Sequence, residues 1–494
     1  MPGPLDDPGQ APADETTYRT ASDPRLRILI PMVVACALVM QSVDQTIITT
    51  AIPQMAASLG ETPLRLNVAI TSYLLSLAVF IPISGWVADR FGARSVFCWA
   101  VAIFTLASAL CGAATSLPML VAMRVVQGIG GAMTTPVGRL VLLRSFPKSE
   151  LVTAMTYVAI PALFGPAIGP LLGGFLTTYV SWRWIFYINV PFGILGIALA
   201  LRYFEDFRNA AVPRFDFLGF VVCGIGLAAT ELALEFAGRH VISNAAEAGI
   251  LAVAIVTLVA YWLYAKRRPN PAVDLKIFRI RTFRIAVVGG TVCRAGISSS
   301  SFLLPLLLQL SFGDTAFRSG LITSALAAGA IAMRTVSPPI LRRLGFRTTL
   351  VANNILVAAM MCGLVAIRAG TSLWIVIGIL LLLGFFRALQ FTSMNTLSYA
   401  DLVGADMSPG TSISSVAQQL SMSFGVALSA TLLALLSGVS GHPSEAQFDI
   451  VFLVMATLPL ISQLWFVRLS PQAGAHVSGQ RRAAVPLRAE AGEE

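Results

Sequence analysis

The stretch Leu251-Ala-Val-Ala-Ile-Val-Thr-Leu-Val-Ala-Tyr-Trp-Leu-Tyr-Ala265 contains no charge and no alternation of polar with apolar residues. Leu373-Trp-Ile-Val-Ile-Gly-Ile-Leu-Leu-Leu-Leu-Gly-Phe-Phe386 reads the same way. A membrane β-barrel strand would alternate over about 10 residues, whereas a membrane helix needs about 20 mostly apolar ones. The rest of the chain agrees with the helical reading. Of 494 residues, 34 are Lys or Arg and 24 are Asp or Glu, so 12% are charged and 56% are hydrophobic. The mean hydropathy is +0.78. An ordinary globular domain carries about 25% charged residues, and this chain has too few to cover a water-facing surface. A soluble enzyme is excluded, and so is a disordered chain, which would be poor in apolar residues. The expected class is an all-α polytopic membrane protein.

Fourteen apolar runs follow one another, starting near Ile28, Leu66, Val96, Leu117, Val152, Trp184, Phe217, Ala248, Ile285, Leu321, Leu350, Leu373, Ser412 and Phe448. Residues 1–24 carry five acids against the single base Arg19, unlike a cleaved signal peptide, so the first span is expected to remain as an anchor. The six cysteines all lie in apolar runs without CxxC spacing and read as small hydrophobes. With the N-terminus placed in the cytoplasm, 25 of the 34 bases fall on the inside. Arg65, Arg183, Arg239, Arg318 and Arg368 fall outside, and Arg124, Arg294, Arg334 and Arg387 fall within spans. This asymmetry predicts a cytoplasmic-membrane protein with both termini inside. It also accounts for the net charge of +10 without nucleic acid. The loop holding Asp401 and Asp406 breaks the pattern, since it has no base.

Two strings recur across the halves. Arg124-Val-Val-Gln127 returns as Arg387-Ala-Leu-Gln390, and Arg90-Phe-Gly92-Ala-Arg94 as Arg343-Leu-Gly345-Phe-Arg347. The spacing predicts a cytoplasmic tail (1–24), a six-helix bundle (25–204), an inserted two-helix linker (205–270), a second six-helix bundle (271–469) and a cytoplasmic tail (470–494). Repeated halves mark transporters, with the substrate site between them near the bilayer midplane.

The stretch Gly85-Trp-Val-Ala-Asp89-Arg90-Phe-Gly92-Ala-Arg94 joins the second and third spans. An acid at a helix end suits an Arg or a helix N-terminus, and Ser408-Pro409-Gly410 starts the thirteenth span. Asp89 is therefore expected near that N-terminus when the inner side is closed. The stretch resembles the signature loop of the major facilitator superfamily. The fifth span contains Gly165-Pro166-Ala-Ile-Gly169-Pro170-Leu-Leu-Gly173-Gly174. Glycines four apart share one helix face and let another backbone approach. This string resembles the motif of proton-coupled antiporters, which implies export. Ser181-Trp-Arg-Trp184-Ile-Phe186-Tyr-Ile-Asn189-Val-Pro191 reads as an aromatic interface belt. It resembles a stretch of the 14-helix drug:proton antiporters, as does Leu389-Gln-Phe-Thr-Ser-Met-Asn395. The resemblance covers nearly all of residues 28–469 and implies the major facilitator fold with 14 transmembrane helices, two six-helix bundles plus two inserted helices. The second copy of the signature loop, Pro338 to Gly345, lacks an acid, so its latch needs another partner.

Asp44 in the first span and Arg124 in the fourth are charges at mid-membrane, where each costs about 2.5–3.5 kcal/mol unpaired. Both are expected to face the interior, either as a permanent salt bridge or as the proton-coupling pair. The resemblance implies the second role. Candidates for the substrate cavity are Gln41, Gln127, Arg294, Gln309, Arg387, Gln390, Asn395 and Gln418, on a wall richer in Arg than in acids. Glu231 lies in the inserted pair, which is expected to face lipid or the periphery. The three histidines form no metal site, and no HExxH, GxSxG or phosphate-binding loop is present, so an enzyme and an ATP-driven pump are both excluded. The expected function is proton-coupled antiport exporting small amphiphilic organic molecules by alternating access, with protons as the coupling ion and no cofactor. Partners are the substrate, protons and membrane lipid, and the chain is expected to be a monomer. A symporter, a dedicated exporter of a metabolite or lipid, and a sensor without transport are the alternatives.

Overall fold

The computed structural model describes residues 25–146, 150–206, 214–236, 243–269, 271–402, 406–437 and 443–478. The two tails lie largely outside these residues. Every long element is a helix, because in hydrocarbon each backbone N–H and C=O must be satisfied within its own segment.

The first half contains α1 (Leu26–Ile47), α2 (Val68–Phe91), α3 (Ala93–Gly112), α4 (Leu117–Ser145), α5 (Leu151–Tyr179) and α6 (Asn189–Tyr203). The inserted pair is α7 (Phe217–Phe236) and α8 (Asn244–Arg267). The second half begins with α9 (Arg281–Leu306). A continuous helical stretch follows, Ala316–Gly363, broken by Gly345 at φ 72° and ψ 170°. Gly345 splits it into α10 (316–344) and α11 (346–363). The second half ends with α12 (Leu373–Ala400), α13 (Met407–Ser437) and α14 (Glu445–Phe466). Among the described residues fourteen long helices result, in the order that the apolar runs predict. Gly92, the counterpart of Gly345, also has a positive φ, 95°. Both copies of the repeated loop thus turn on a glycine in a conformation that L side chains resist.

Within each half, small residues set the helix spacing. A Cβ on Gly130 of α4 would strike the backbone of Ala100 and Phe104 on α3, and one on Gly128 would strike Ser76 and Tyr73 on α2. The halves meet through two crossings: α5 packs on α10, and α2 packs on α13. The α5–α10 crossing is backbone against backbone. Gly174 abuts the carbonyl of Ala316, and Gly320 abuts that of Pro170.

The inserted helices differ from each other. In α8 only Ala254, Tyr261 and Ala265 are buried, while Leu251, Ile255, Val256 and Val259 are at least half exposed, as lipid-facing residues should be. By contrast, α7 lies in the groove between α2 and α13, touching both halves. Glu231 on α7 is 4% exposed. This corrects the expectation of a peripheral acid: the Ser423 hydroxyl of α13 donates to its carboxylate at 2.7 Å. A buried carboxylate requires such a partner.

Candidate functional site

Asp44 sits near the end of α1, inside the first bundle, with 1% of its surface exposed. Arg124, on the face of α4 that the glycines bring close, is fully buried. Its Nη1 donates to Asp44 Oδ2 at 2.6 Å and to Gln127 Oε1 at 2.7 Å. Its Nε donates to the carbonyl of Ala69 on α2 at 2.9 Å. The guanidinium lies 4.2 Å from the ring centre of Tyr73. Gln127 Nε2 donates to Asp44 Oδ1 at 2.8 Å. Asn189 Nδ2, at the start of α6, donates to the same oxygen at 3.0 Å and to the Ser108 hydroxyl at 3.0 Å. Ser108 in turn donates to the carbonyl of Phe186. The acid is therefore held by α1, α4 and α6 at once, with both oxygens occupied.

Asn189 belongs to the aromatic stretch that begins at Ser181, but nothing in its local pattern ties it to Asp44. The signal available is an amide inside an apolar helix, which demands a partner. The same stretch is only partly an interface belt: Trp184 is half exposed, whereas Trp182 and Phe186 are buried in the bundle.

A cavity of about 440 Å³ lies between the halves. Gln45 and Thr46 of α1 and Thr49 of the turn that follows it line it, so α1 shows one face to the cavity while Asp44 points away from it. Across the cavity stand Ser298, Ser300 and Ser301 of α9, Arg334 of α10, Arg387, Phe391 and Asn395 of α12, and Gln418 and Met422 of α13. Arg387 donates to the Ser301 hydroxyl at 2.8 Å. Arg294 is buried behind the wall and donates to Asn395 at 2.5 Å.

Besides Arg294, four of the expected cavity residues are placed elsewhere. Gln127 is occupied by the Asp44 pair. Gln41 bridges α1 to α4, donating to the Gly131 carbonyl and accepting from Thr135. Gln390 accepts from Asn353 of α11 at 2.8 Å. Gln309 lies at one end of the bundle, donating to the Thr50 carbonyl across the halves at 3.0 Å. In each case helix–helix bonding claims the amide. Arg334, Gln45, Thr46 and Phe391 join the wall, and only the tertiary fold could have placed them there.

The glycine strip of α5 faces α1. A Cβ at Gly165 would meet Ser42, one at Gly169 would meet Thr46, and one at Gly173 would meet the Ile47 carbonyl. Pro166 and Pro170 of the same helix line the cavity. In the signature loop, Asp89 accepts from Arg144 of α4 at 2.7 Å. Gly92 abuts the Asp206 carboxylate, whereas a Cβ at Gly85 would meet nothing within 4 Å. Arg90 is exposed and Arg94 half-buried.

Among the described residues, direct hydrogen bonds between the halves gather at the end of the molecule opposite Asp89. Gln309 bonds to Thr50 and Gln54, the Phe317 N–H to Thr178, and the Ser423 hydroxyl to the Thr71 carbonyl.

Two repeated six-helix bundles around a largely apolar cavity with a few polar groups define a multi-pass membrane transporter, and comparison with known proteins agrees. The family model of the Major Facilitator Superfamily matches residues 34–407 and 286–491. Relatives carrying the name multidrug resistance protein MdtD include one from Pectobacterium atrosepticum, 38% identical over 443 residues, 89% of this chain and 95% of that one. Another, from Escherichia coli, is 36% identical over 454 residues, 91% and 96% of the two chains. Among solved structures, the POT family transporter PepTSo superposes with a TM-score of 0.69 at 14% identity, covering 92% of this chain and 99% of that one. The nucleoside transporter NupG does so with 0.59 at 13%, covering 89% and 98%. At those identities the likeness concerns the fold. The chain belongs to the major facilitator superfamily and is a transporter rather than an enzyme.

Proposed function

We propose that this transporter exports small amphiphilic organic molecules in exchange for protons, with Asp44 as the proton carrier. The observation that carries this reading is the sealed Asp44–Arg124 pair one residue away from the cavity-lining Gln45. An ion pair buried this way is neutral as a unit. Protonating Asp44 leaves the Arg124 charge without a counter-charge, a cost of about 3–5 kcal/mol. The pair must then separate or rehydrate, and α1, α4 and α6 must shift with it. Because the opposite face of α1 forms part of the cavity, that shift changes the cavity. The smooth α5 strip offers α1 a surface without side-chain teeth to move over.

The excess of basic residues on one side supports a cytoplasmic position for the Asp89 end, in a cytoplasmic membrane. The end where the bonds between the halves gather among the described residues is then the outer one. The Asp89–Arg144 contact belongs to the inner gate. The names of the relatives, as multidrug resistance proteins, agree with export.

The test is flux in proteoliposomes with an imposed pH gradient, comparing the native chain with Asp44→Asn. Gradient-driven flux is expected to disappear in the variant while gradient-free binding persists. Proton-coupled flux that is unchanged in Asp44→Asn rules out Asp44 as carrier. In inverted vesicles, protons leaving the lumen on substrate addition indicate antiport, and co-entry would indicate symport.

A further inference from the structure

The repeated Arg-x-x-Gln string finds different company in the two halves. In the first half Arg124 meets a carboxylate from α1 at 2.6 Å. In the second half, α9 has the rank that α1 has in the first, and it presents Ser301 to Arg387 at 2.8 Å instead. A hydroxyl thus stands where a counter-ion does in the other copy. Among the described residues no carboxylate lies within ion-pair distance of Arg387, Arg334 or Arg294. Among the described residues the cavity wall contains Arg334 and Arg387 and no Asp or Glu. Its remaining surface is largely apolar, with Leu74, Phe302, Ile331 and Met422 among its residues. Cations kept within a membrane span without a counter-charge are costly and mark a ligand path. An arginine fork is also the side chain best shaped for a carboxylate.

We propose that the substrate is an amphiphilic organic carboxylate, its anionic head held by Arg387 and Arg334 and its apolar body against the Leu74, Phe302 and Met422 side of the cavity. Arg294 acts through Asn395, which it holds at the wall by a 2.5 Å bond, and is a positioning residue. The carboxylate completes in the second half the pairing that Asp44 completes in the first. This inference deepens the antiport reading by naming the substrate class.

The experiment is equilibrium binding of three probes of one shape to the purified full chain in detergent: tritiated 1-naphthoate, neutral 1-naphthamide and cationic 1-naphthylmethylammonium. The carboxylate should bind about 10-fold or more tighter than the amide, as one charge-assisted contact implies, and the ammonium should bind weakest. Arg387→Gln should collapse the acid-over-amide ratio toward 1, Arg387→Lys should keep part of it, and Arg334→Gln should reduce it. Amide or ammonium binding as tight as the acid overturns the proposal, as does a ratio retained in Arg387→Gln. If Arg387→Gln fails to fold, the Arg334→Gln ratio and the native three-probe order decide. Binding needs no proton gradient. A native chain that prefers the acid but shows no gradient-driven flux therefore refutes antiport and leaves the carboxylate site standing, and the reverse pattern does the opposite.

Discussion

Asp44 and Arg124 form a 2.6 Å ion pair with neither side chain exposed, and Gln127 and Asn189 fill the remaining carboxylate oxygen. Breaking one side of such a pair costs more than removing both. Asp44→Asn is expected to lower stability by about 3–5 kcal/mol, and adding Arg124→Gln should recover most of it without restoring gradient-driven flux. Thermal unfolding of the detergent-solubilised variants checks this. An Asp44→Asn midpoint equal to the native one would show that the pair contributes nothing net.

The α5 strip should be intolerant of added volume. Gly173→Val would drive a side chain into the Ile47 carbonyl, and Gly169→Val would drive one into Thr46. Overpacking of this kind costs about 1–3 kcal/mol. Size-exclusion profiles and melting midpoints should fall for both, and flux should fall further than stability if α1 moves along the strip.

Two glycines of the signature loop should behave differently. Gly92 has a φ of 95° and abuts Asp206, whereas Gly85 is helical with open space around it. Gly92→Ala is expected to cost about 1–2 kcal/mol, and Gly85→Ala to stay within about 0.5 kcal/mol of native. Gly345→Ala should resemble Gly92→Ala, because its φ is 72°. Equal melting midpoints for Gly85→Ala and Gly92→Ala would contradict the backbone account.

Glu231 and Ser423 tie the inserted helix to the second half at 2.7 Å. Glu231→Ala and Ser423→Ala should each destabilise, and the double variant should cost less than their sum, with a coupling of about 0.5–3 kcal/mol. A double-mutant cycle in unfolding free energy measures it. Strict additivity would mean that the bond is not energetically coupled.

Asp89 and Arg144 are about one-third exposed, so their bond is worth about 0–1 kcal/mol and weakens with salt. Asp89→Asn should leave the melting midpoint nearly unchanged while altering transport rate. A large stability loss with normal transport per folded molecule would make the contact a structural brace and not a gate.

Much of the fold is legible in the chain itself. Runs such as Leu251–Ala265 and Leu373–Phe386 demand helices because hydrocarbon leaves the backbone no other partner. The repeated Arg-x-x-Gln and Arg-x-Gly-x-Arg strings mark two halves and the turns within them. The inserted pair is legible as two further spans, but its packing is not. Hydropathy treats α7 and α8 alike, yet Glu231 turns one of them inward between the halves.

The polar residues within the spans divide the same way. Composition alone requires that Asp44, Arg124, Arg294, Arg334 and Arg387 find an environment other than lipid, because each charge is expensive there. Which environment each finds depends on distances between helices far apart in the chain. Gln127 and Gln390 occupy matching places in a repeated string, yet one bonds the buried acid and the other an asparagine on α11. Neither reaches the cavity. Spacing along one helix defines which residues share a face, but the neighbour that face meets is set by the glycine contacts that seat α4 on α2 and α3, and α5 on α1 and α10. The sequence by itself determined the class, the number of spans and the short set of intramembrane charges. The tertiary structure decided that one arginine is neutralised within the protein and another is turned, without a counter-charge, toward the cavity.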